Sequence, residues 1–178
     1  MYDLGDAMAE LVDIYRHDFL NVLQVVGGLA QLNRTDRLMA YIRSASEETL
    51  QFGKLINCGD PRLALLIYKE LLQALGGNYL LDVRGVMPLL PVETLEGLEK
   101  TLQILRQQLR ESEQGQVAVC INAIEFPRLT ISVSFEKEQN SFWEAVIAAS
   151  SENGMTASVR DGVDLLLNLD NCIASGEQ

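Results

Sequence analysis

The stretch Leu4–Leu32, LGDAMAELVDIYRHDFLNVLQVVGGLAQL, decides how the rest of the chain is read. Apolar residues recur in it every three or four positions, at Leu4, Met8, Leu11, Tyr15, Phe19, Val22, Val26 and Leu29. The opposite stripe is polar: Asp6, Glu10, Asp13, His17, Asn21, Gln24 and Gln31. This spacing predicts one long amphipathic helix, about 40 Å at ~1.5 Å per residue. Asn33-Arg34-Thr35-Asp36 reads as a short turn. Thr35 or Asp36 is expected to cap a second helix that carries Leu38, Ile42, Ala45, Leu50 and Leu55 and ends near Asn57. Two helices joined this way form a hairpin, which cannot bury so long an apolar stripe by itself. Pairing two copies into a four-helix bundle buries it, so a homodimer is expected. Packing of the stripe on the rest of the chain is the alternative. Its continuation along the full helix favours the dimer.

Cys58-Gly59-Asp60-Pro61 reads as a hinge, with Asp60 as helix N-cap and Pro61 as first helical residue. It divides the chain into a hairpin domain, residues 1–58, and a second domain, residues 59–178. In the second domain a helix from Pro61 to about Leu75 is stopped by Gly76-Gly77. A strand follows over Tyr79 to Val83, then a loop over Gly85 to Pro91, where two prolines prevent regular structure. Glu93 to Glu113 reads as a helix with Leu95, Leu98, Leu102, Leu105 and Leu109 on one face. Val117 to Ile124 and Leu129 to Phe135 read as strands, and Phe142 to Ala149 as a helix. Thr156 to Val159 and Val163 to Leu169 form a closing pair across the turn Arg160-Asp161-Gly162. The tail Ser175–Gln178 is expected to fray. Helices with mostly antiparallel strands make the class α+β, one helical layer on one sheet.

Composition narrows the function. The chain has 178 residues and a formal charge of −11. Phosphate-backbone binding needs clustered Lys and Arg, so the charge argues against nucleic acid as a partner. An anionic membrane surface is disfavoured for the same reason, and no apolar run approaches the roughly 20 residues of a membrane span. The start, Met1-Tyr2-Asp3-Leu4, lacks the basic flank and apolar core of a signal peptide. Three scattered cysteines, Cys58, Cys120 and Cys172, fit a reducing cytoplasm better than a disulfide framework. With a single histidine they make a zinc site improbable.

That single histidine, His17, lies on the polar stripe. A solvent-facing imidazole beside an aspartate can act as a general base, a metal ligand or a nucleophile toward phosphorus. No Ser or Cys nucleophile accompanies it, and no metal-ligand spacing is found. A phosphoryl acceptor needs less: an exposed ring, a neighbour that takes the proton of the other nitrogen, and room for in-line approach. Asp18 can take that proton. Asn21, one turn on, can hydrogen-bond the phosphoryl group, and Arg16 can counter its charge. A plain surface histidine among solvated charges is the alternative.

The run Arg16-His17-Asp18-Phe19-Leu20-Asn21-Val22-Leu23-Gln24-Val25-Val26-Gly27-Gly28-Leu29-Ala30-Gln31-Leu32 resembles a known phosphoacceptor helix. It is shared by citrate and dicarboxylate sensor histidine kinases and by the sporulation initiation phosphotransferase B family. Asp60-Pro61-Arg62-Leu63-Ala64-Leu65-Leu66-Ile67-Tyr68-Lys69 also resembles the beginning of those kinases' ATP-binding domain. Beyond residue 84 the likeness rests on element order alone. The resemblance implies a dimeric four-helix bundle followed by a degenerate kinase-ATPase-like sandwich.

Departures from the kinase pattern separate the two groups. Gln107 and Gln108 stand where the resemblance implies an Asp-Asn pair that helps hold magnesium and ATP. Phe135-Glu136-Lys137-Glu138-Gln139 stands where an Asp followed by glycines is implied, and Phe142 to Ser151 contains no glycine. Glu136 and Glu138 would also repel a triphosphate. With the helix at the head of the chain, no sensor domain is expected before it.

The expected function is an ATP-independent histidine phosphotransferase. His17 would pass a phosphoryl group between aspartates of response-regulator receiver domains, and the resemblance places such a relay in sporulation. Neither cofactor nor metal is expected on this chain, magnesium coming with the receiver. The rivals are a pseudokinase-like module that sequesters a kinase or receiver, a divergent ATP-dependent kinase, and a dimeric scaffold.

Overall fold

The computed structural model describes residues 3–76, 79–111, 114–135, 142–153 and 155–169. Helix α1 spans Leu4–Gln31. Asp3 caps it, its Oδ1 accepting the amides of Gly5 and Asp6 at 2.8 and 3.0 Å. Asn33, at φ 52°, turns the chain into α2, Thr35–Ile56. The N-cap of α2 is Arg34, which makes no side-chain capping bond. The expected cap at Thr35 or Asp36 is therefore displaced by one or two residues. Asp36 sits in the first turn instead, where its charge still meets the positive end of the helix dipole.

The inward face of α2 also differs from expectation at two positions, since Ile42 is exposed at 37% as well as Leu50. Ala45, Phe52 and Leu55 are buried, whereas Leu50 is 67% exposed. Five residues beyond Ala45 is about 140° around a helix at 3.6 residues per turn, so Leu50 faces away. Phe52 fills the inward site.

Helix α3, Pro61–Ile67, begins as the sequence dictates: the Asp60 side chain accepts the Arg62 amide and Pro61 occupies the first turn. The helix then widens into a π-helical turn over Tyr68–Leu72 before a last α-turn, α4, Gln73–Leu75. Side-chain periodicity carries no mark of that insertion. Gly76, left-handed at φ 57°, stops the helix.

The remaining elements are β1 (Tyr79–Arg84), α5 (Val92–Glu111), β2 (Gln114–Asn122), β3 (Arg128–Phe135), α6 (Phe142–Glu152), β4 (Thr156–Arg160) and β5 (Asp164–Asn168). They form a five-stranded sheet in the order β1-β2-β3-β5-β4. Strand β1 runs parallel to β2, with Leu81 opposite Val119, across the α5 crossover. The other pairings are antiparallel. Asp161 and Gly162, both at positive φ, make the predicted β4–β5 turn. The class is α+β.

One face of the sheet is apolar with period two: Val117, Val119 and Ile121; Leu129, Ile131 and Val133; Leu165 and Leu167 are all buried. Against it lie the five leucines of α5 named above and Phe142, Trp143 and Val146 of α6. Leu11, Phe52 and Leu55 of the hairpin share this core with Leu63, Ile67 and Leu71. The hairpin also covers the free edge of β1. Gln51 accepts the Leu81 amide at 3.3 Å, and Lys54 donates to the Leu81 carbonyl at 3.2 Å. An edge strand closed by side chains in this way is shielded from further pairing.

Segment 136–141 and the tail from residue 170, which contain Glu136 to Gln139, Cys172 and Ser175–Gln178, lie outside the described residues.

Candidate functional site

His17 stands near the middle of α1 with its side chain 75% exposed. The long helix fixes its backbone, and the polar stripe leaves the ring in water. Two neighbours reach the same ring nitrogen. Asp18 Oδ1 lies 3.3 Å from Nδ1, and Asn21 Nδ2 lies 3.2 Å from it. The two contacts demand opposite tautomers. A bond to Asp18 requires a proton on Nδ1, which leaves the lone pair on Nε2. A bond from the Asn21 amide requires the lone pair on Nδ1 and puts the proton on Nε2. Only the first tautomer makes Nε2, the nitrogen directed away from both neighbours, a nucleophile.

Asp18 has a second partner. Its Oδ2 accepts the hydroxyl of Tyr68 at 3.2 Å. Tyr68 opens the π-helical turn, so the segment after α2 reaches the site through it. The Tyr68 ring meets Phe52 edge-on at 5.3 Å, and Phe52 stacks on Tyr15 at 5.8 Å. Burial first, then the negative charge of Asp18, pushes the Tyr68 phenol up to about 12, so the hydroxyl stays a donor across the physiological range.

Arg16 is held elsewhere, in an ion pair with Asp13 at 3.1 Å. Lys69, next to Tyr68, pairs with Glu10 one and a half to two turns before His17 on the same stripe. An open groove of about 540 Å³ runs beside His17, with Glu10, Ile14, Tyr68, Lys69 and Gln73 along its walls. The structure thus brings together His17, Asp18 and Asn21, and leaves Arg16 on its helical neighbour. Tyr68 and Lys69 were quoted in the sequence without a role, because nothing local shows which residues lie across a fold from Asp18.

Along α1 the apolar stripe and its flank at Val12 and Leu23 are only partly covered within one chain. Leu11 is fully buried, but Met8, Val12, Tyr15, Phe19 and Leu23 are 39–52% exposed. Where α1 and α2 meet the π-helical turn, an open pocket of about 220 Å³ is bordered by Phe19, Phe52, Asp18, Glu48, Tyr68 and Tyr79. Among the described residues no group of three or more His, Cys, Asp or Glu is placed to hold a metal ion. No described helix is long and apolar enough to cross a membrane.

Comparison with known proteins adds one family. No curated protein matches the chain. A solved protein described as "1.7 Angstrom Structure of a Bacterial Phosphotransferase" is similar at 16% identity and a TM-score of 0.38, with 94% of this chain and 97% of that one covered. Residues 5–58, which are α1, α2 and the turn between them with His17 inside, match the alpha-helical domain of SpoOB-type sensor kinases, and this match supports a phosphotransfer or kinase-related signalling role.

Proposed function

We propose that the chain is a histidine phosphotransferase that relays phosphoryl groups between receiver domains. The observation that carries this reading is the one histidine of the chain. It is exposed at mid-helix, with Asp18 on Nδ1 and an open approach to Nε2. The match of residues 5–58 to the SpoOB-type helical domain supports it.

In this reading a receiver carrying an aspartyl phosphate docks against α1, bringing its own magnesium. The Nε2 lone pair forms the new N–P bond as the acyl P–O bond breaks, and the receiver departs with a free carboxylate. The proton stays on Nδ1. The phospho-imidazole therefore gains positive charge, which Asp18 stabilises through the Nδ1–H bond. Transfer to a second receiver is the reverse step on a new aspartate. The charge of the phosphoryl group on Nε2 is met by Lys69 or Arg16 once these leave Glu10 and Asp13, and by Asn21 only if its amide swings away from Nδ1.

The functional unit is a homodimer whose α1 and α2 helices form a four-helix bundle. Five exposed apolar residues on α1 support that assembly. The second domain braces the bundle and adds docking surface without a nucleotide. The relay fits sporulation initiation in a cytoplasmic setting, and the chain itself uses no resident cofactor or metal. The test is transfer of labelled phosphate from phosphorylated receiver domains, with magnesium and without ATP, to the wild-type chain and to His17→Gln. Acid-labile, base-stable label on the wild type alone is the expected result. Tight magnesium-ATP binding by the second domain would instead favour a divergent kinase.

A further inference from the structure

We propose that Tyr68 is a positioning residue that locks Asp18 onto His17 Nδ1, so that the imidazole lone pair resides on Nε2. The proposal rests on the phosphotransfer reading for its purpose, but not for its geometry.

Asp18 is an exposed helix residue, its side chain 57% accessible, and among the described residues of α1 its one hydrogen-bond partner is His17. The bond from Tyr68 crosses 50 residues of sequence and occupies Oδ2, leaving Oδ1 turned to His17. The donor is well anchored. The Tyr68 ring is wedged against Phe52, and the next residue, Lys69, is tied to Glu10 on the same α1 helix. Both attachments come from the π-helical turn. A wide turn changes which side chains face a neighbour without ending the helix, and such insertions are found at functional sites. Here it sets two consecutive side chains against α1, in the wall of the groove that opens to His17.

The consequence follows from the competition at Nδ1. Asn21 and Asp18 are at nearly equal distances from it and select opposite tautomers. A carboxylate free to swing would lose this contest part of the time. One held through its other oxygen keeps its bond to Nδ1–H, and the ring stays in the nucleophilic form. The bond moves no proton: Tyr68 remains the donor and Asp18 the acceptor throughout.

Because the chain has one histidine, the tautomer can be read directly from the imidazole ¹⁵N resonances of the intact protein. In the wild type, Nδ1 is expected to carry the proton. Tyr68→Phe keeps the ring and its packing on Phe52 and removes only the hydroxyl. It is expected to raise the Nε2–H population and to slow phosphorylation of His17 by phosphoramidate, which donates its phosphoryl group with loss of ammonia. A hydrogen bond to a charged acceptor that is partly exposed is consistent with a three- to tenfold slowing, roughly. Asp18→Asn is expected to produce a loss at least as large, and the double variant no further loss, since both act through one contact. Unchanged tautomer populations in Tyr68→Phe would overturn the proposal, as would additive losses in the double variant. A shifted tautomer in a protein that no receiver phosphorylates would uphold the role of Tyr68 and remove the relay function instead.

Discussion

The guanidinium of Arg62 grips the carboxylate of Asp60 at the start of α3, with Nε on Oδ1 at 3.0 Å and Nη2 on Oδ2 at 2.8 Å. The pair is buried, and both members are tied to the β1–α5 loop. Leu90 donates its amide to Asp60 and accepts from Arg62, at 2.9 and 2.8 Å. Burial alone would raise the Asp60 pKa, but the bonds from Arg62 and from the Leu90 amide outweigh it and hold the carboxyl below its ordinary value. Removing one member leaves an unpaired charge in the core. Asp60→Asn is expected to destabilise the fold by about 3–5 kcal/mol, measured by denaturant unfolding at neutral pH.

The same depressed pKa fixes a pH dependence. The folded protein binds the Asp60 proton less readily than the unfolded chain. The stabilisation is therefore complete above the unfolded value, about 4, and is lost as pH falls toward the folded value. Asp60→Asn should flatten that part of the wild-type stability profile below about pH 4. A slope that survives the substitution would assign the acid sensitivity to other carboxylates.

Gly59 makes the second demand on the α2–α3 connection. Its φ is 113°, and a Cβ there would stand 2.3 Å from the Met87 carbonyl oxygen. That contact is enforced by a backbone bond from the Met87 amide to the Cys58 carbonyl. Gly59→Ala is expected to lower stability by upwards of about 1–3 kcal/mol from backbone strain alone. Gly53→Ala, in open space on α2, is expected to raise it by up to about 1 kcal/mol through helix propensity. Thermal unfolding of the two variants separates these signs.

What could be read in the sequence was local or periodic. Asp60-Pro61 announces a helix start within two residues, and the α5 leucines and the alternating strands announce their buried faces. The turn at Asp161-Gly162 is equally self-contained. Leu50 misled because an apolar residue off the helical stripe still resembles core until its angle is counted. The π-helical turn changes the register of a helix whose composition stays ordinary. At the site, His17, Asp18 and Asn21 were legible because one helical turn relates them. Tyr68 was not, since its link to Asp18 depends on how α3 and the π-helical turn fold back along α1.

The uncovered stripe predicts the assembly state. Burying a large apolar side chain is worth about 1.5–3 kcal/mol, so Met8, Val12, Phe19 and Leu23 provide ample drive for pairing. Sedimentation should find the wild type dimeric. Phe19→Glu, which places a charge in that seam, should shift it to monomer while the helical circular dichroism is retained. A wild type that sediments as a monomer at micromolar concentration would contradict the four-helix bundle.

The central claim is that phosphate passes through His17. Its most direct test is a phosphotransfer assay with a panel of ³²P-labelled receiver domains and magnesium, without nucleotide. Label that moves to the wild type, resists base, is released by acid, returns to a second receiver and is absent from His17→Gln is the result predicted here. Receivers that bind the chain yet transfer nothing to it, or label that persists in His17→Gln, would contradict the account.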